Sequence, residues 1–232
     1  MARFSIFGSE TNRRIAEADS VAVIGLGRFG SALALELMAS GTEVLGIDVD
    51  EDLVQSLNGR LTQVVRADST KEEALRQLAV DEFDRVVVAI GHDIQASILT
   101  CSVLLGLGIP VIWAKAVEDR HGLILEQLGV HRVIYPEKAM GKRVAHLVRG
   151  AALDYIEVDP GYALVKTAAP RVLLGKRLGD TGLRGAYGVT VAAFKRDDDE
   201  WSNADADTVL AEGDTILVVG PTSAAEGFAQ LR

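Results

Sequence analysis

The chain has 232 residues, of which 48% are apolar and 25% are charged. This length is enough to bury one large core or two modest ones, because domains commonly span about 100–200 residues. The formal charge of −9 argues against a general nucleic-acid or anionic-membrane binder, since such proteins need a basic surface.

The first 19 residues contain three arginines but no apolar core of the signal-peptide type, and we interpret them as an N-terminal extension. No stretch of the chain reaches the ~18–20 uninterrupted apolar residues that a membrane-spanning helix needs. The single cysteine, Cys101, lies in an apolar run, so we expect a buried side chain rather than a reactive thiol. These features predict a cytoplasmic protein that reaches a membrane only through a partner.

Short β-rich runs alternate with helical segments from Ser20 to Pro136. The predicted strands are Val21–Ile24, Val44–Ile47, Gln63–Val65, Val86–Ile90, Val111–Trp113 and Val133–Tyr135. The predicted helices are Phe29–Ser40, Asp50–Leu57, Thr70–Leu78, Ile94–Leu105 and Asp119–Leu128. Strands of this composition are typical of a parallel sheet buried on both faces. The alternation therefore predicts an α/β fold with a Rossmann-like, doubly wound parallel sheet.

A further helix is predicted from Pro136 to about Leu147, and we interpret it as a linker that completes a nucleotide-binding domain of residues 20–150. After Gly150 the pattern changes to short strands separated by turns. The strands predicted there are Tyr155–Val158, Ala163–Thr167, Val189–Lys195 and Thr215–Val219, with helical pieces near Arg177–Leu183 and Ser223–Leu231. The pattern of strands and turns therefore predicts a separate small α+β domain over residues 151–232.

Gly25, Gly27 and Gly30 form a G-x-G-x-x-G motif between the first predicted strand and the first predicted helix. The first glycine permits a tight turn, the second lets the backbone approach a phosphate, and the third lets the helix pack on the strand. Asp48 ends the next strand about 20 residues later, where a carboxylate accepts hydrogen bonds from ribose hydroxyls. The combination predicts a bound nucleotide whose phosphates lie at the helix start.

The acidic end of the second strand limits which nucleotide fits. An acid there repels a 2′-phosphate, which disfavours NADP but does not distinguish NAD from ATP or ADP. Val49 and Asp50 follow Asp48 and complete the predicted ribose site. Asp50 has a second interpretation of comparable weight, as the N-cap of the helix that follows it.

Arg28 and Phe29 lie inside the glycine turn. A guanidinium at this position lies beside the phosphates and can bind a terminal one with two hydrogen bonds. The alternative is an arginine that faces solvent over the helix start. Arg28 is therefore a candidate for reading the terminal phosphate.

The remaining candidates follow the other predicted strands, where ligands of open α/β sheets bind. They are Asp68, Ser69, Ala89, Ile90, Gly91, His92, Lys115 and Glu137. Taken singly, each could cap a turn, and Glu137 could complement the dipole of the helix that begins at Pro136. Taken together, they would line one crevice.

The sequence shows no set of residues that is typical of a catalytic site. A dehydrogenase needs an acid–base group near the nicotinamide, and it usually comes from a substrate domain. The histidines are His92, His121, His131 and His146, none of which lies in the second domain. We find no nucleophile elbow, Walker lysine or metal-ligand cluster, so the chain is predicted not to be an enzyme. An NAD-dependent oxidoreductase or NAD(H)-responsive redox sensor remains the alternative, followed by a ligand-binding domain of a longer channel.

Several stretches carry a family resemblance. They are Val23–Gly30, Val86–Gly91, Ile94–Ser97, Ile112–Ala116, Val133–Lys138 and, in the second domain, Leu183–Thr190. On these residues the chain resembles the regulatory subunits of Trk/Ktr-type bacterial potassium uptake systems, also called RCK or KTN proteins. The resemblance extends over nearly all of residues 19–232, and it brings Gln95 into the predicted site.

The resemblance implies roles for individual residues. Arg28 would contact the terminal phosphates, Asp48 would hold the ribose, and Glu137 would bind a divalent cation such as Mg²⁺. Lys115 and Asp68 would line the same pocket. ATP would favour the active state and ADP the inactive one, with NAD(H) as a ligand of some members.

The resemblance also implies an assembly. Paired subunits would form a ring, typically an octamer, beneath an integral-membrane potassium transporter at the inner face of the cell membrane. In some relatives the C-terminal domain binds cyclic di-AMP at its dimer interface.

Overall fold

The computed structural model describes residues 20–150, 152–197 and 200–231. The chain divides into two compact units, Met1–Glu137 and Lys138–Arg232, and each has its own apolar core. The predicted N-terminal extension lies outside the described residues. Within the described ranges, no helix is both long and apolar enough to cross a membrane.

The first unit contains a parallel sheet of six strands. They are β1 (Ser20–Ile24), β2 (Glu43–Asp48), β3 (Gln63–Arg66), β4 (Arg85–Val88), β5 (Val111–Lys115) and β6 (Arg132–Ile134). Their order in the sheet is β3-β2-β1-β4-β5-β6. The order reverses between β1 and β4, which is where doubly wound sheets bind their ligands. The predicted Rossmann-like fold is confirmed.

Helices pack on both faces of this sheet. They are α1 (Arg28–Ala39), α2 (Glu51–Leu57), α3 (Glu72–Gln77), α4 (Ile94–Gly106) and α5 (Asp119–Leu128), with a single helical turn at Val80–Glu82. One core cluster joins α1 and α2 to the sheet, and a larger one joins the sheet to α3, α4 and α5. Cys101 is buried in the larger cluster, and this burial raises the pKa of its thiol to about 12. The expected burial of the Cys101 side chain is therefore confirmed.

The sequence predicted strands that are buried on both faces of the sheet. In the structure, some of the strands are covered on only one face. Both edge strands, β3 and β6, are only partly buried. On β5 the side chain of Trp113 is 38% exposed, although its neighbours Ile112 and Ala114 are fully buried. Because α1 and α2 cover the side of the sheet formed by β1, β2 and β3, one face of β5 lies open in the described unit.

A long helix, α6 (Pro136–Arg149), follows β6. The boundary between the compact units falls in its first turn, after Glu137. The sequence placed this boundary after residue 150 instead, because the helix continues the strand–helix alternation. The structure differs because α6 packs with the second unit, where Arg143 forms a two-pronged ion pair with Asp154 and Leu147 packs on the core.

The second unit is built on an antiparallel sheet. Its strands are β7 (Asp154–Asp159), β8 (Tyr162–Ala168), β9 (Thr190–Lys195), β10 (Ser202–Asn203) and β11 (Thr215–Pro221), in the order β10-β9-β11-β8-β7. The helices are α7 (Leu183–Tyr187) and α8 (Thr222–Ala229), with single helical turns at Arg171–Leu173 and Leu178–Asp180. The predicted small α+β domain is confirmed, although the two-residue strand β10 was not predicted.

Candidate nucleotide-binding site

The three glycines of the motif have different surroundings. Gly25 has a φ of +93°, and a Cβ built there would lie 2.8 Å from the backbone nitrogen of Ile90. A Cβ on Gly30 would lie 1.8 Å from the carbonyl oxygen of Gly25. A Cβ on Gly27 would meet no atom within 4 Å. Gly25 and Gly30 are therefore required for packing, whereas Gly27 leaves open space at the helix start.

The N-terminus of α1 is available to an anion. Gly27 occupies the N-cap position, so no side chain bonds to the first N–H groups of the helix. The first turn also contains no acidic residue that would neutralise the positive end of the helix dipole. Free N–H groups at such an end can bind an anion, and a Cβ on the N-cap residue Gly27 would meet no atom within 4 Å.

Asp48 holds the glycine turn against β2. One oxygen of its buried carboxylate accepts a 2.5 Å hydrogen bond from the backbone N–H of Leu26, and the other accepts a 2.9 Å bond from the N–H of Asp50. The side chain of Asp50 accepts bonds from the N–H groups of Asp52 and Leu53, so it caps α2. Of the two interpretations of Asp50, the structure shows the helix cap.

A cleft of about 440 Å³ opens beside Asp48 at the carboxyl edge of the sheet. This volume is within the range of small-molecule sites, which is about 300–1,000 Å³. The predicted residues that line it are Gly25, Asp48, Val49, Asp68, Ser69, Ile90, His92 and Gln95. The structure therefore brings together candidates from the ends of four strands.

Sequence reasoning missed part of the cleft lining. The additional residues are Ile24, Ile47, Ala67, Thr70, Lys71, Asp93, Ala96 and Leu99. Leu99 lies one helical turn after Gln95 on α4, and this i,i+4 spacing was the available signal. Lys71 follows Asp68 in the turn before α3, and nothing in the sequence separated it from an ordinary surface lysine.

The cleft is lined by both apolar and polar groups. Val49 and Leu99 are 50% and 44% exposed, and apolar side chains are the predominant lining of small-molecule sites. Asp68 accepts hydrogen bonds from the hydroxyl and the N–H of Thr70, and these bonds hold its pKa below the usual range. The hydroxyl of Ser69 is buried and bonded to Thr100 at 2.9 Å, so this predicted ligand has a structural partner.

A second group of predicted residues lies outside the cleft lining. They are Gly27, Arg28, Phe29, Gly30, Asp50, Ala89, Gly91, Lys115 and Glu137. Among these, Ala89 donates its N–H to the carbonyl of Ile24 and so ties β4 to β1. Its role in the structure is to pack the turn, since its Cβ would lie 3.1 Å from a Cβ on Gly30.

Lys115 and Glu137 form a close ion pair beside the glycine turn. The Lys115 ammonium lies 2.6 Å from a Glu137 oxygen, and the two side chains are 10% and 64% exposed. The ammonium also lies 5.8 Å from the centre of the Phe29 ring. A Cβ on Gly91 would lie only 2.9 Å from this ammonium, so a glycine leaves room for it.

The charge around Glu137 is positive. The hydrogen bond from Lys115 holds the pKa of the Glu137 carboxyl below its usual range, and the charge of Arg28 acts in the same direction. Glu137 is therefore ionised at neutral pH and is paired with Lys115. In the described part of the chain, no three His, Cys, Asp or Glu side chains form a metal-binding group, so a cation at Glu137 would need oxygens from a ligand or water.

Comparisons with known proteins establish the family. Residues 21–136 match the TrkA-N domain and residues 162–231 the TrkA-C domain. The chain is 40% identical over 200 residues to the Ktr system potassium uptake protein C of Bacillus subtilis, covering 86% of this chain and 90% of that protein. It is 38% identical over 201 residues to the Ktr system potassium uptake protein A of Vibrio alginolyticus, covering 86% and 91%. The chain belongs to the TrkA/Ktr family of potassium uptake proteins. Membership of the TrkA/Ktr family confirms the resemblance read from the sequence and the prediction of a chain that is not an enzyme.

Solved structures agree on the fold of this TrkA/Ktr protein. The RCK domain of GsuK aligns with a TM-score of 0.64 at 18% identity, covering 91% of this chain and 48% of that one. The GsuK channel bound to NAD aligns with a TM-score of 0.62 at 17% identity, covering 91% and 39%. The chain thus spans about half or less of the GsuK chains. At these identities the likeness establishes the RCK fold.

The glycine turn gives a matched pair of substitutions. We expect Gly27→Ala to fold normally, because Gly27 has a φ of −63° and open space around it, but to weaken ADP binding more than ~10-fold by blocking the phosphate. Gly30→Ala should instead lower the free energy of unfolding by ~1–3 kcal/mol or more through overpacking. Denaturant unfolding and calorimetric titration with ADP measure both effects. Unchanged ADP affinity in Gly27→Ala would mean that no phosphate approaches this turn.

Proposed function

We propose that this chain is a cytoplasmic ATP- and ADP-binding subunit that regulates potassium transport through an integral-membrane partner at the inner face of the membrane. The observation that carries the proposal is the group of charges at the glycine turn. The free N-terminus of α1, the exposed Arg28 and the Lys115–Glu137 pair would contact the phosphates of a nucleotide bound at this turn. The relatives named as Ktr potassium uptake proteins support the transport role.

The adenosine half of the ligand would occupy the 440 Å³ cleft. The exposed apolar side chains of Val49 and Leu99 would contact the faces of the base. Asp48 retains free acceptor positions for ribose hydroxyls, because each carboxylate oxygen can accept more than one hydrogen bond. Asp68 and Gln95 lie in the same cleft and offer polar atoms to the edge of the base.

The phosphate half would distinguish ATP from ADP through the ion pair. The γ-phosphate would draw the Lys115 ammonium away from Glu137, because a phosphate carries more charge than a carboxylate. The freed Glu137 would then bind Mg²⁺ together with phosphate oxygens, and Arg28 would contact the terminal phosphate. ADP lacks the γ-phosphate and would leave the Lys115–Glu137 pair closed.

Such a difference is enough to regulate a partner. A coupling of ~1–3 kcal/mol between nucleotide and partner sites changes an affinity about 5- to 150-fold. ATP and ADP would each favour one of two arrangements of the same three side chains, so the ratio of the two nucleotides would set the population of the active state.

Thermal melting of the purified protein with ATP, ADP, NAD and NADH, with and without Mg²⁺, tests the site. A ligand at a hundredfold excess over its Kd stabilises the folded state by ~2.7 kcal/mol. We expect shifts with ATP and ADP, and Mg²⁺ should increase the ATP shift. Arg28→Ala should reduce the ATP shift more than the ADP shift, and Glu137→Gln should remove only the effect of Mg²⁺.

The same experiment distinguishes ATP and ADP sensing from the alternative function. A shift with NAD or NADH alone would favour an NAD(H)-responsive redox sensor and count against ATP sensing. If Arg28→Ala left the difference between ATP and ADP intact, Arg28 would not read the γ-phosphate. Potassium flux into liposomes that hold the membrane subunit tests the transport role, since flux should depend on the added chain and rise with ATP over ADP.

Exposed apolar side chains support the proposal of a homodimer that assembles into an octameric ring. On α6, Met140, Val144 and Val148 recur at i, i+4 and i+8, and Val148 is 81% exposed. A second exposed set lies on α4 and α5 and consists of Ile94, Leu123, Ile124 and Leu128. Groups of exposed apolar side chains on one helix or on neighbouring helices are typical of protein interfaces. We assign the α6 surface to the dimer and the α4–α5 surface to the ring.

Analytical ultracentrifugation of two charge substitutions tests this assignment. Val148→Glu should yield monomers, because it places a charge in the dimer surface, whereas Leu123→Glu should yield dimers that do not form rings. Val209→Glu is the matched control, since Val209 is an exposed valine of the second unit outside both surfaces. Rings that survive both substitutions would contradict the assignment.

The second unit offers a pocket of about 530 Å³ for the proposed ligand cyclic di-AMP. Its lining includes Arg184, whose Nε donates a 3.1 Å hydrogen bond to the hydroxyl of Thr190. The guanidinium nitrogens that remain can bind a phosphate. Gly182 and Gly185 on either side leave the approach free of side chains.

Calorimetric titration with cyclic di-AMP tests this pocket. Arg184→Ala should weaken binding at least ~10-fold, because a charge-assisted hydrogen bond contributes ~1.5–3 kcal/mol. Arg171→Ala, on a different turn of the same unit, should bind as the unmodified protein does. No binding by the unmodified protein would remove cyclic di-AMP from the proposed ligands.

A further inference from the structure

His121, in the first turn of α5, is a buried polar side chain to which the nucleotide site described above gives no role. It is only 1% exposed. Its Nδ1 accepts a 3.3 Å hydrogen bond from the backbone N–H of Val117. Its Nε2 is buried and has no hydrogen-bond partner among the residues that the structure describes. Because few buried polar groups in proteins lack a partner, the presence of an imidazole here needs a physical explanation.

The imidazole of His121 is neutral at neutral pH. Burial lowers its pKa, and the charge of Glu118 opposes this effect only in part. A neutral imidazole has one acceptor nitrogen and one N–H. Since Nδ1 accepts the N–H of Val117, the proton is assigned to Nε2, where it is buried without a partner. A leucine of similar size would fill the same space without an unsatisfied donor, so the imidazole contributes through its bond to Val117 rather than through packing.

The bond to Val117 fixes the turn between β5 and α5. Lys115 is the last residue of β5, and the next N–H, of Ala116, donates to the carbonyl of Ile134 on β6 at 2.8 Å. The N–H of Val117 comes next and is held by His121. Two consecutive hydrogen bonds therefore restrain the backbone directly after Lys115.

The same turn of α5 also contacts the segment that carries Glu137. A Cβ on Gly122, the residue after His121, would lie 1.8 Å from the hydroxyl oxygen of Tyr135, so the helix and this side chain are in close contact. Tyr135 directly precedes α6, and Glu137 lies in the first turn of that helix. The first turn of α5 therefore contacts the chain next to both partners of the Lys115–Glu137 pair.

We propose that His121 is a positioning residue, which directs the Lys115 ammonium toward Glu137 by holding the N–H of Val117. The ammonium lies 2.6 Å from a Glu137 oxygen, so a small change in the direction of the chain at the end of β5 would open this pair. A lysine side chain is flexible, and its reach is set by the backbone from which it extends. The consequence for nucleotides rests on the proposed function: a Lys115 directed elsewhere would not reach the γ-phosphate, whereas ADP would bind as before.

Crystal structures of nucleotide-free variants test the positioning role. His121→Leu has a similar size but no acceptor, so the distance between the Lys115 ammonium and the Glu137 carboxylate should exceed the ~4 Å limit of an ion pair. His121→Asn carries its oxygen on Cγ, where the imidazole carries Nδ1. It should therefore keep the bond to Val117 and leave the ion pair closed.

His131→Leu is the matched control. The Nδ1 of His131 accepts the N–H of Ile112 at 3.1 Å, so this variant removes the same kind of bond near the other end of β5. The Lys115–Glu137 pair should stay closed in it. If His121→Leu does not fold, His121→Gln takes its place, because the oxygen of glutamine is one bond further from the backbone than Nδ1.

Calorimetric titration with ATP and ADP in the presence of Mg²⁺ measures the effect on nucleotides. In His121→Leu the Kd for ATP should rise ~10-fold, because a charge-assisted hydrogen bond to the γ-phosphate is lost, and the Kd for ADP should change less than ~2-fold. His121→Asn should bind both nucleotides as the unmodified protein does.

The two measurements separate failure of this proposal from failure of the proposed function. A closed Lys115–Glu137 pair in His121→Leu would overturn the positioning role, and so would an open pair in His131→Leu. An open pair in His121→Leu together with unchanged ATP binding would support the positioning role and count against a contact between Lys115 and the γ-phosphate.

Discussion

The close approach of β1, β2 and β4 at their carboxyl ends is the constraint on which the candidate site depends. The N–H of Gly25 bonds to the carbonyl of Ile47 at 2.8 Å, and the next N–H, of Leu26, bonds to the Asp48 carboxylate. A side chain at Gly25 would clash with the backbone of Ile90 on the other side. The glycine turn is thus fixed by its neighbours, and α1 begins from a rigid base. A rigid helix N-terminus can bind phosphate without first paying for its own ordering.

The cleft and the glycine turn offer different kinds of interaction to a ligand. The cleft side presents apolar surface and hydrogen-bond acceptors, and these suit a base and a ribose. The glycine-turn side presents charges that are already paired with each other, so a ligand there must exchange one ion pair for another. Such an exchange depends on the charge of the ligand more than on its shape. Glu137 also belongs to the first turn of α6, where the chain passes from the first compact unit to the second.

The sequence predicted most of the fold, because buried parallel strands and capped helices leave a local pattern. Each strand of the first unit lies within two residues of its predicted bounds, and α5 matches its prediction at both ends. The glycine motif and Asp48 could also be predicted from the sequence, because nucleotide binding requires those residue types at that spacing. The Lys115–Glu137 ion pair could not be predicted from the sequence, since 22 residues separate the partners and no local sequence pattern indicates that they meet. The bond from Leu26 to Asp48 and the attachment of α6 to the second unit are likewise tertiary contacts without a local signal.

The open face of β5 has a practical consequence. The chain has two tryptophans, Trp113 on β5 and Trp201 beside β10, so each compact unit carries one indole. They are 38% and 41% exposed, and Trp201 lies under the ammonium of Lys166. Their emission should respond to different events, one to whatever covers the open sheet face and the other to the second unit alone. With either indole replaced by phenylalanine, the intrinsic fluorescence of the protein becomes a spectroscopic reporter for a single unit, without any added dye.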